Sequence, residues 1–153
     1  MKQRLSLLAL FLLLSAFSFQ PLDERKAQEA LPMSQSPIWQ ILGKTKITAD
    51  DKQGYFNAVI PAAVKALAGK EVTVSGFMMP LESKEKFTHF LLAKRTPTCP
   101  FCPPGEPNEI IEVWTGKAVS YTENVITVKG IFALMNNRDM GVFFKLKEAK
   151  IVP

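Results

Sequence analysis

The stretch Glu71-Val-Thr-Val-Ser-Gly-Phe-Met-Met-Pro80 decides the fold prediction. Val72 and Val74 alternate with polar residues, which is the pattern of a strand with one buried face. Gly76 interrupts this alternation, and apolar residues then continue up to Pro80. A glycine inside a strand marks a bulge or a sharp bend, as the corners of a small barrel require. The stretch therefore predicts the first, bent strand of a β-barrel.

Four further strands are predicted after this one. They cover residues 87–93, 109–114, 125–134 and 142–146, and the last can continue through residue 151. Gly130 again lies inside a strand, the fourth. Five strands with glycines inside the first and fourth predict a mainly β protein with a small five-stranded OB-like barrel. Residues 116–123 are too few for the helix that many such barrels place between strands three and four.

Short helices are predicted ahead of the barrel. Trp39 and Leu42 lie three residues apart and can close over a core as one helical turn. Residues 62–68 are rich in alanine, with Pro61 suited to the first turn and Gly69 to the stop. We expect this N-terminal helix to pack on the barrel end. Residues 44–54, between the two helical segments, are polar and typical of turns.

The N-terminal part has the features of a secretory signal peptide. Lys2 and Arg4 precede an apolar run at residues 5–14, and small residues follow. The run is shorter than the roughly 20 residues of a membrane-spanning helix. Since no cysteine follows it, we expect no lipid anchor and no stable membrane insertion after cleavage.

The next residues hold three prolines and mixed charges without a regular period, which favours a flexible tether. The expected organisation of this periplasmic or secreted protein is a signal peptide at 1–18, a tether at 19–37 and the OB-like barrel domain at 38–153.

The charge pattern argues against a nucleic-acid partner. The chain has 19 basic and 14 acidic residues. Loss of the two basic residues in 1–18 leaves a net charge of +3. The lysines are scattered among acidic residues, whereas a nucleic-acid groove needs clustered basic side chains.

The distinctive chemistry lies between predicted strands two and three, in Thr98-Cys-Pro-Phe-Cys-Pro-Pro-Gly-Glu-Pro107. This stretch holds both cysteines of the chain, Cys99 and Cys102, and several of its eleven prolines. Each proline fixes its backbone φ, so the loop should be stiff and hold the two sulfurs at a set separation. The residues expected to support the loop are Pro100, Phe101, Pro103 and Pro104.

Two interpretations of the cysteine pair stay open. Two cysteines in an exported chain are expected to form a disulfide, which in so small a ring stabilises by only about 2 kcal/mol. Two thiolates also suffice for a soft ion such as Cu(I), whereas Zn(II) normally takes four protein ligands. The auxiliary ligands available in sequence are His89, Met78 and Met79. His89, on a face shared with Phe87 and Leu91, better suits a packed or rim position, and the methionines better suit the core.

Catalytic motifs are missing from the sequence. Pro103-Pro104-Gly105 after the second cysteine forbids the helix that activates a thioredoxin thiol. Covalent haem attachment needs a histidine where Pro103 stands. With one histidine, no nucleophile elbow and no phosphate-binding glycine loop, the sequence favours a protein that is not an enzyme.

Several motifs resemble those of the bacterial family called "domain of unknown function 3299". The resemblance is carried by residues 72–82, by the Cys99–Cys102 loop with residues 105–107 and 111–113, by residues 125–130, and by residues 39–42. It implies an envelope protein, periplasmic or lipoprotein, without an established enzymatic activity. It also implies a role beside transporter components, in transport or metal handling. The lipobox cysteine of the lipoprotein members is missing here.

We therefore expect a non-enzymatic periplasmic binding or accessory module that uses its Cys-x-x-Cys loop in metal handling or envelope transport. The expected ligands are Cu(I) or Zn(II), and the expected partner is an envelope protein or transporter component. Two alternatives stay open, a thiol-disulfide redox protein on a non-thioredoxin scaffold and a purely structural domain with a stabilising disulfide.

Overall fold

The computed structural model describes residues 30–97 and 105–153, and Leu31–Pro153 forms one unit. Strands dominate the described chain, with two short α-helices and one 3-10 helix, Pro107–Glu109. The helices are α1 (Ile38–Leu42) and α2 (Ala62–Lys65), and the strands are β1 (Lys46–Asp50), β2 (Tyr55–Val59), β3 (Glu71–Pro80), β4 (Lys86–Ala93), β5 (Ile110–Ser120), β6 (Ile126–Asn137) and β7 (Val142–Val152).

Strands β3 to β7 form a closed barrel in the order β3-β4-β5-β7-β6, and β6 pairs back onto β3. The β5–β7 pair is parallel and the other four pairs are antiparallel. The mainly β, OB-like barrel and its five strands are therefore confirmed. The third strand is longer than predicted and occupies most of the stretch before β6, so no helix lies between the third and fourth barrel strands.

The barrel closes at Gly76. Up to this residue β3 pairs with β6, ending at Gly76↔Ile126, and from the next residue it pairs with β4, beginning at Phe77↔Ala93. A Cβ at position 76 would lie 2.7 Å from the Ala93 carbonyl oxygen and 2.9 Å from Leu92 Cγ. Because only glycine permits this approach, one strand can take part in both halves of the wall.

The core fills the barrel from all five strands and from both helices. Its largest fully buried side chains include Phe90, Phe132 and Phe144, and the Phe132 and Phe144 rings lie 5.8 Å apart. Trp39 of α1 packs into the same cluster and donates its indole N–H to the Ser75 carbonyl at 2.8 Å. Val64, fully buried, is the residue through which α2 joins the core. Both predicted helical segments thus pack on the core, although α2 ends after one turn.

The β1–β2 hairpin was not predicted. Residues 44–54 read as a polar turn segment, but Lys46↔Val59 through Asp50↔Tyr55 form an antiparallel ladder. Its strands are short and mostly half-buried or exposed, so their residues lack a clear alternation. Tertiary contacts hold it in place, because the Phe56 N–H donates to the Arg138 carbonyl at 3.0 Å and the Arg138 guanidinium lies 3.6 Å above the Tyr55 ring.

The last residues of the predicted tether lie against the barrel. The Ser34 N–H donates to the Lys94 carbonyl at 2.7 Å, and the Ser34 hydroxyl donates to the Ser75 carbonyl at 2.5 Å. The Thr96 N–H donates to the Pro32 carbonyl at 3.0 Å. Ordered contacts therefore begin before Ile38, the expected start of the folded domain. The predicted signal peptide and residues 19–29 lie outside the described residues.

Within the part of the chain that the structure describes, no helix has the length and apolar character needed to cross a membrane.

A Gly76→Ala variant should lose about 2 kcal/mol or more of unfolding free energy, because the new methyl group meets backbone that cannot yield. Gly116→Ala is the matched control, since nothing described lies within 4 Å of its added Cβ. This control should change stability by less than about 1 kcal/mol. Urea unfolding followed by circular dichroism measures both. Equal stability of the two variants would contradict the role assigned to Gly76.

Candidate functional site

The cysteine segment leaves the barrel just after β4 and returns just before β5, and one carboxylate ties the two sides together. Lys94 donates from Nζ to Glu109 Oε1 at 2.6 Å, and Arg95 donates from Nε to Glu109 Oε2 at 2.9 Å. The Lys94 backbone N–H also donates to the Glu109 carbonyl at 3.0 Å. Glu109 is the last residue of the 3-10 helix, and at this position its carboxylate contacts both cations. We call Lys94, Arg95 and Glu109 the loop-base cluster.

Gly105 brings the returning chain onto the same cluster. Its φ of +102° belongs to a region that side chains disfavour. A Cβ there would collide with the Glu109 carboxylate and would lie 3.6 Å from Arg95 Cδ. Gly105, the first described residue after the cysteine segment, therefore lies beside Arg95 of the loop-base cluster.

The loop-base cluster is largely shielded from water and stays ionised. Only 12% of the Glu109 side-chain surface is exposed. This burial opposes ionisation, but the hydrogen bonds from Lys94 and Arg95 outweigh it and lower the pKa of Glu109 below the ordinary carboxyl value. Behind the cluster, Met33 forms an antiparallel bridge with Arg95. The anchor thus combines ion pairs, backbone pairing and the N-terminal segment.

The predicted site residues Cys99, Pro100, Phe101, Cys102, Pro103 and Pro104 lie outside the described residues. A disulfide or a metal site at Cys99 and Cys102 stays a prediction. Within residues 30–97 and 105–153, no group of three or more histidine, cysteine or acidic side chains is arranged to hold a metal ion.

The predicted auxiliary ligands are not brought together. Met78 is 2% exposed in the main core, whereas its neighbour Met79 is 3% exposed in a second cluster with Leu91 and Ile110. Adjacent strand residues point to opposite faces, so the two thioethers lie on opposite sides of β3. His89 belongs to a third environment. The structure therefore gives no support to a shared ligand set of these three side chains.

His89 takes part in a cluster on the outer face of β4, β5 and β7 that sequence reasoning missed. His89 Nε2 lies 2.9 Å from Glu112 Oε1, and Lys145 Nζ lies 2.9 Å from Glu112 Oε2. The His89 ring stacks on Trp114 with centroids 3.8 Å apart, and Trp114 is still 43% exposed. We call these four side chains the outer-face cluster. The exposed tryptophan is held rigidly, which is typical of an aromatic residue used in contacts.

The register of the sheet decides the surroundings of His89. The predicted rim position is consistent with its partial exposure, but the face shared with Phe87 was wrong. A register shift between Phe87 and His89 sends Phe87 into the main core, while His89 stays outside with Leu91. His89 then pairs directly with Trp114, and Glu112 with Lys145. Spacing along single strands carries no signal for these cross-strand neighbours.

Three donors keep Glu112 ionised. Burial opposes its charge, but the ion pair with Lys145 and the hydrogen bonds from His89 and Trp114 outweigh the burial and lower the pKa of Glu112.

Together these features define a class of protein, a small OB-like barrel in which the loop-base cluster joins the end of the second barrel strand to the residues before the third. A family model described as "Protein of unknown function (DUF3299)" matches residues 19–151. The chain therefore belongs to the DUF3299 family, as its motifs suggested.

A solved structure supports the fold. The crystal structure of a DUF3299 family protein from Pseudomonas aeruginosa PAO1 is similar with a TM-score of 0.51 at 20% sequence identity. The similarity covers 82% of this chain and 93% of that chain. At this identity the likeness bears on the fold alone. No significant match to this chain was found among curated proteins.

A Glu109→Gln variant should lose about 1–2 kcal/mol of unfolding free energy, because Lys94 and Arg95 keep their charges but lose the carboxylate. Glu82→Gln is the control, since Glu82 pairs with Lys84 on an exposed surface and its loss should leave the urea midpoint unchanged. Urea unfolding measures the stability of both variants. An unchanged midpoint for Glu109→Gln would contradict the anchoring role.

The stabilisation by Glu112 should depend on pH. Because its pKa is lower in the folded than in the unfolded chain, its charged form stabilises the fold above the ordinary carboxyl pKa. This contribution is lost as the pH falls through the lowered folded pKa. The stability difference between the wild type and Glu112→Gln should thus be largest near neutral pH and vanish in acid. Urea unfolding across a pH series tests this, and a difference that grows toward acid would contradict it.

Proposed function

We propose that this protein is a non-enzymatic binding or accessory module of the bacterial envelope, and that the loop with Cys99 and Cys102 is its specific contact element. The observation that carries the proposal is the anchoring of both loop ends on Glu109. A loop that merely connects two strands has no need of a buried carboxylate with two cationic partners.

Anchoring of the loop ends favours binding because it reduces the entropic cost of ordering the loop. A loop that is held before its ligand arrives loses less conformational entropy on binding, so more of the contact energy appears as affinity. The loop-base cluster holds the ends, and the prolines between them restrict the backbone in the middle. We expect the two thiols to lie on a short loop whose flanking residues the loop-base cluster joins.

The reduced loop suits a soft metal ion. Cu(I) is satisfied by two thiolates, so it needs nothing from the surrounding barrel. Zn(II) would need a second cysteine pair from another copy, because it normally takes four protein ligands and His89 is already engaged by Glu112 and Trp114. Of the two expected ions, this arrangement favours Cu(I). If the loop is oxidised instead, its bridge shapes a contact surface for an envelope protein or transporter component.

His89, the single histidine of the chain, does not belong to the loop-base cluster. Its Nε2 faces Glu112 and its ring covers Trp114, so it is engaged in the outer-face cluster. The expected export of the chain, by residues 1–18, would place the loop in the periplasm or outside the cell.

The metal form of the proposal predicts one Cu(I) per reduced chain. Anaerobic titration with Cu(I) and with Zn(II), followed by native mass spectrometry, should show tight Cu(I) uptake by the wild type. Cys99→Ser/Cys102→Ser should take up none. His89→Gln and Met79→Leu are controls that should bind as the wild type does. Equal, weak uptake by the wild type and the double serine variant would eliminate metal binding.

The redox state in the native compartment separates the remaining alternatives. Mass spectrometry without prior reduction reports whether the cysteines are free, metal-bound or bridged. A fully bridged protein that catalyses insulin reduction would overturn the non-enzymatic proposal in favour of a thiol-disulfide protein. A bridged protein whose double serine variant keeps every envelope phenotype would leave the bridge a purely structural role.

A further inference from the structure

The barrel wall opens between β5 and β7. Their parallel pairing ends at Thr115↔Ala149, although both strands continue. Beyond this point β7 runs to Val152 beside β6, whereas residues 115–118 of β5 form a bulge without β4 partners and the strand pairs with β4 again at Val119 and Ser120. The two strands no longer have each other as partners over their last residues. The facing edges there are available for pairing.

A groove of about 510 Å³ occupies the opening. It is lined by four residues of each strand, between positions 115 and 119 in β5 and between 148 and 151 in β7. Its apolar lining comes from Val119, Ala149 and Ile151, the last of which is 39% exposed. An exposed apolar slot of this size in the mouth of a barrel is typical of a binding site.

Gly116 lies in the β5 bulge, but its immediate surroundings do not require a glycine. The other glycines of the chain either have a positive φ, as Gly54, Gly69, Gly105 and Gly141 do, or lie against atoms that leave little or no room for a Cβ, as Gly43, Gly76 and Gly130 do. Gly116 has neither feature, because its backbone is ordinary and nothing described lies within 4 Å of an added Cβ. It lines the groove. Besides marking bulges, strand glycines occur where a ligand or another backbone approaches closely, and the space over Gly116 is open to such an approach.

The opposite wall has an unusual backbone. Glu148 has a φ of +50°. Among the described ranges it is the one non-glycine residue with a positive φ. Such a conformation costs free energy and recurs at binding sites. Here it falls immediately before Ala149, where the β5–β7 register ends. Glu148 thus lies in the irregular stretch of β7 between the pairs Val113↔Leu146 and Thr115↔Ala149, at the edge of the groove.

The groove is flanked by positive charge. Lys117 and Lys150 are exposed and line it, and no acidic side chain among the described residues forms an ion pair with either. Glu148 is the one acidic residue of the lining. By contrast, Lys129 and Lys145 on neighbouring strands are paired with Glu71 and Glu112. Unpaired lysines on both walls favour a negatively charged occupant.

We propose that this groove binds an extended, acidic peptide segment of a partner protein, which adds a strand between β5 and β7. Its backbone pairs with the free strand edges and passes closely over Gly116, one set of alternating side chains enters the apolar slot, and acidic side chains meet Lys117 and Lys150. This mode of recognition derives affinity from main-chain hydrogen bonds and specificity from alternate side chains. The groove is a second binding surface, distinct from the loop-base cluster.

Selection of random dodecapeptides displayed on phage against the purified protein tests the proposal. The enriched peptides should alternate apolar and acidic residues. Measured by fluorescence anisotropy, the best of them should bind Gly116→Val about tenfold or more weakly than the wild type, since the new side chain fills the backbone path. Amide hydrogen exchange should show that the bound peptide protects residues 116–120 and 150–152.

Matched controls separate this surface from folding and from the cysteine loop. Lys117→Glu/Lys150→Glu should weaken binding about tenfold, whereas Lys44→Glu/Lys46→Glu, with the same change of charge on exposed residues elsewhere, should stay within about twofold. Cys99→Ser/Cys102→Ser should bind the peptide as the wild type does. Thermal unfolding by circular dichroism confirms that each variant is folded.

Each contrary result would assign the groove to another occupant or to none. Failure to enrich any peptide, or equal binding by Gly116→Val, would overturn the proposal. Saturable binding of dodecanoate that Gly116→Val abolishes, without a peptide that competes, would assign the groove to an amphipathic lipid instead. A concentration-dependent dimer that the same variant dissociates would assign it to a second copy of this chain.

Discussion

The close approach of backbones at Gly76 and Gly130 is the constraint on which the rest of the structure depends. At Gly76, β3 changes its partner from β6 to β4, and a Cβ would meet the Ala93 carbonyl. At Gly130, a Cβ would lie 2.9 Å from the Lys147 carbonyl of β7. A closed barrel of five strands must bend this sharply, because few strands enclose a narrow interior. A side chain at either position would push apart backbones that enclose the phenylalanine core.

The pairing of β4 with β5 creates the loop base. It runs up to Ala93↔Ile110, so the residues that follow β4 meet those that precede β5. Glu109 can then take Lys94 and Arg95 at once, although the cysteine segment separates them in sequence. The same barrel that buries apolar side chains thereby supplies a fixed frame for a chemically distinctive loop. The barrel, as the scaffold, and the cysteine loop, as the contact element, are therefore separate parts of the chain.

Two irregularities of the same sheet shape its outer surface. The shift between Phe87 and His89 turns one side chain inward and lays the other on Trp114. The early end of the β5–β7 pairing leaves the groove beside Gly116 and Glu148. Regular pairing would have produced an even wall with neither feature. In both places the irregular strand pairing coincides with exposed side chains that are not part of the core.

The amino-acid sequence by itself determined the five barrel strands, the bend at Gly76, the short helices and the family, because alternation and strand glycines are local signals. It also pointed to the cysteine loop. Only the tertiary structure decided the β1–β2 hairpin, whose short, weakly alternating strands are held by Arg138. The Glu109 anchor, the stacking of His89 on Trp114 and the groove likewise depend on which strands lie side by side and in which register. Such contacts join residues far apart along the chain, and no local pattern encodes them.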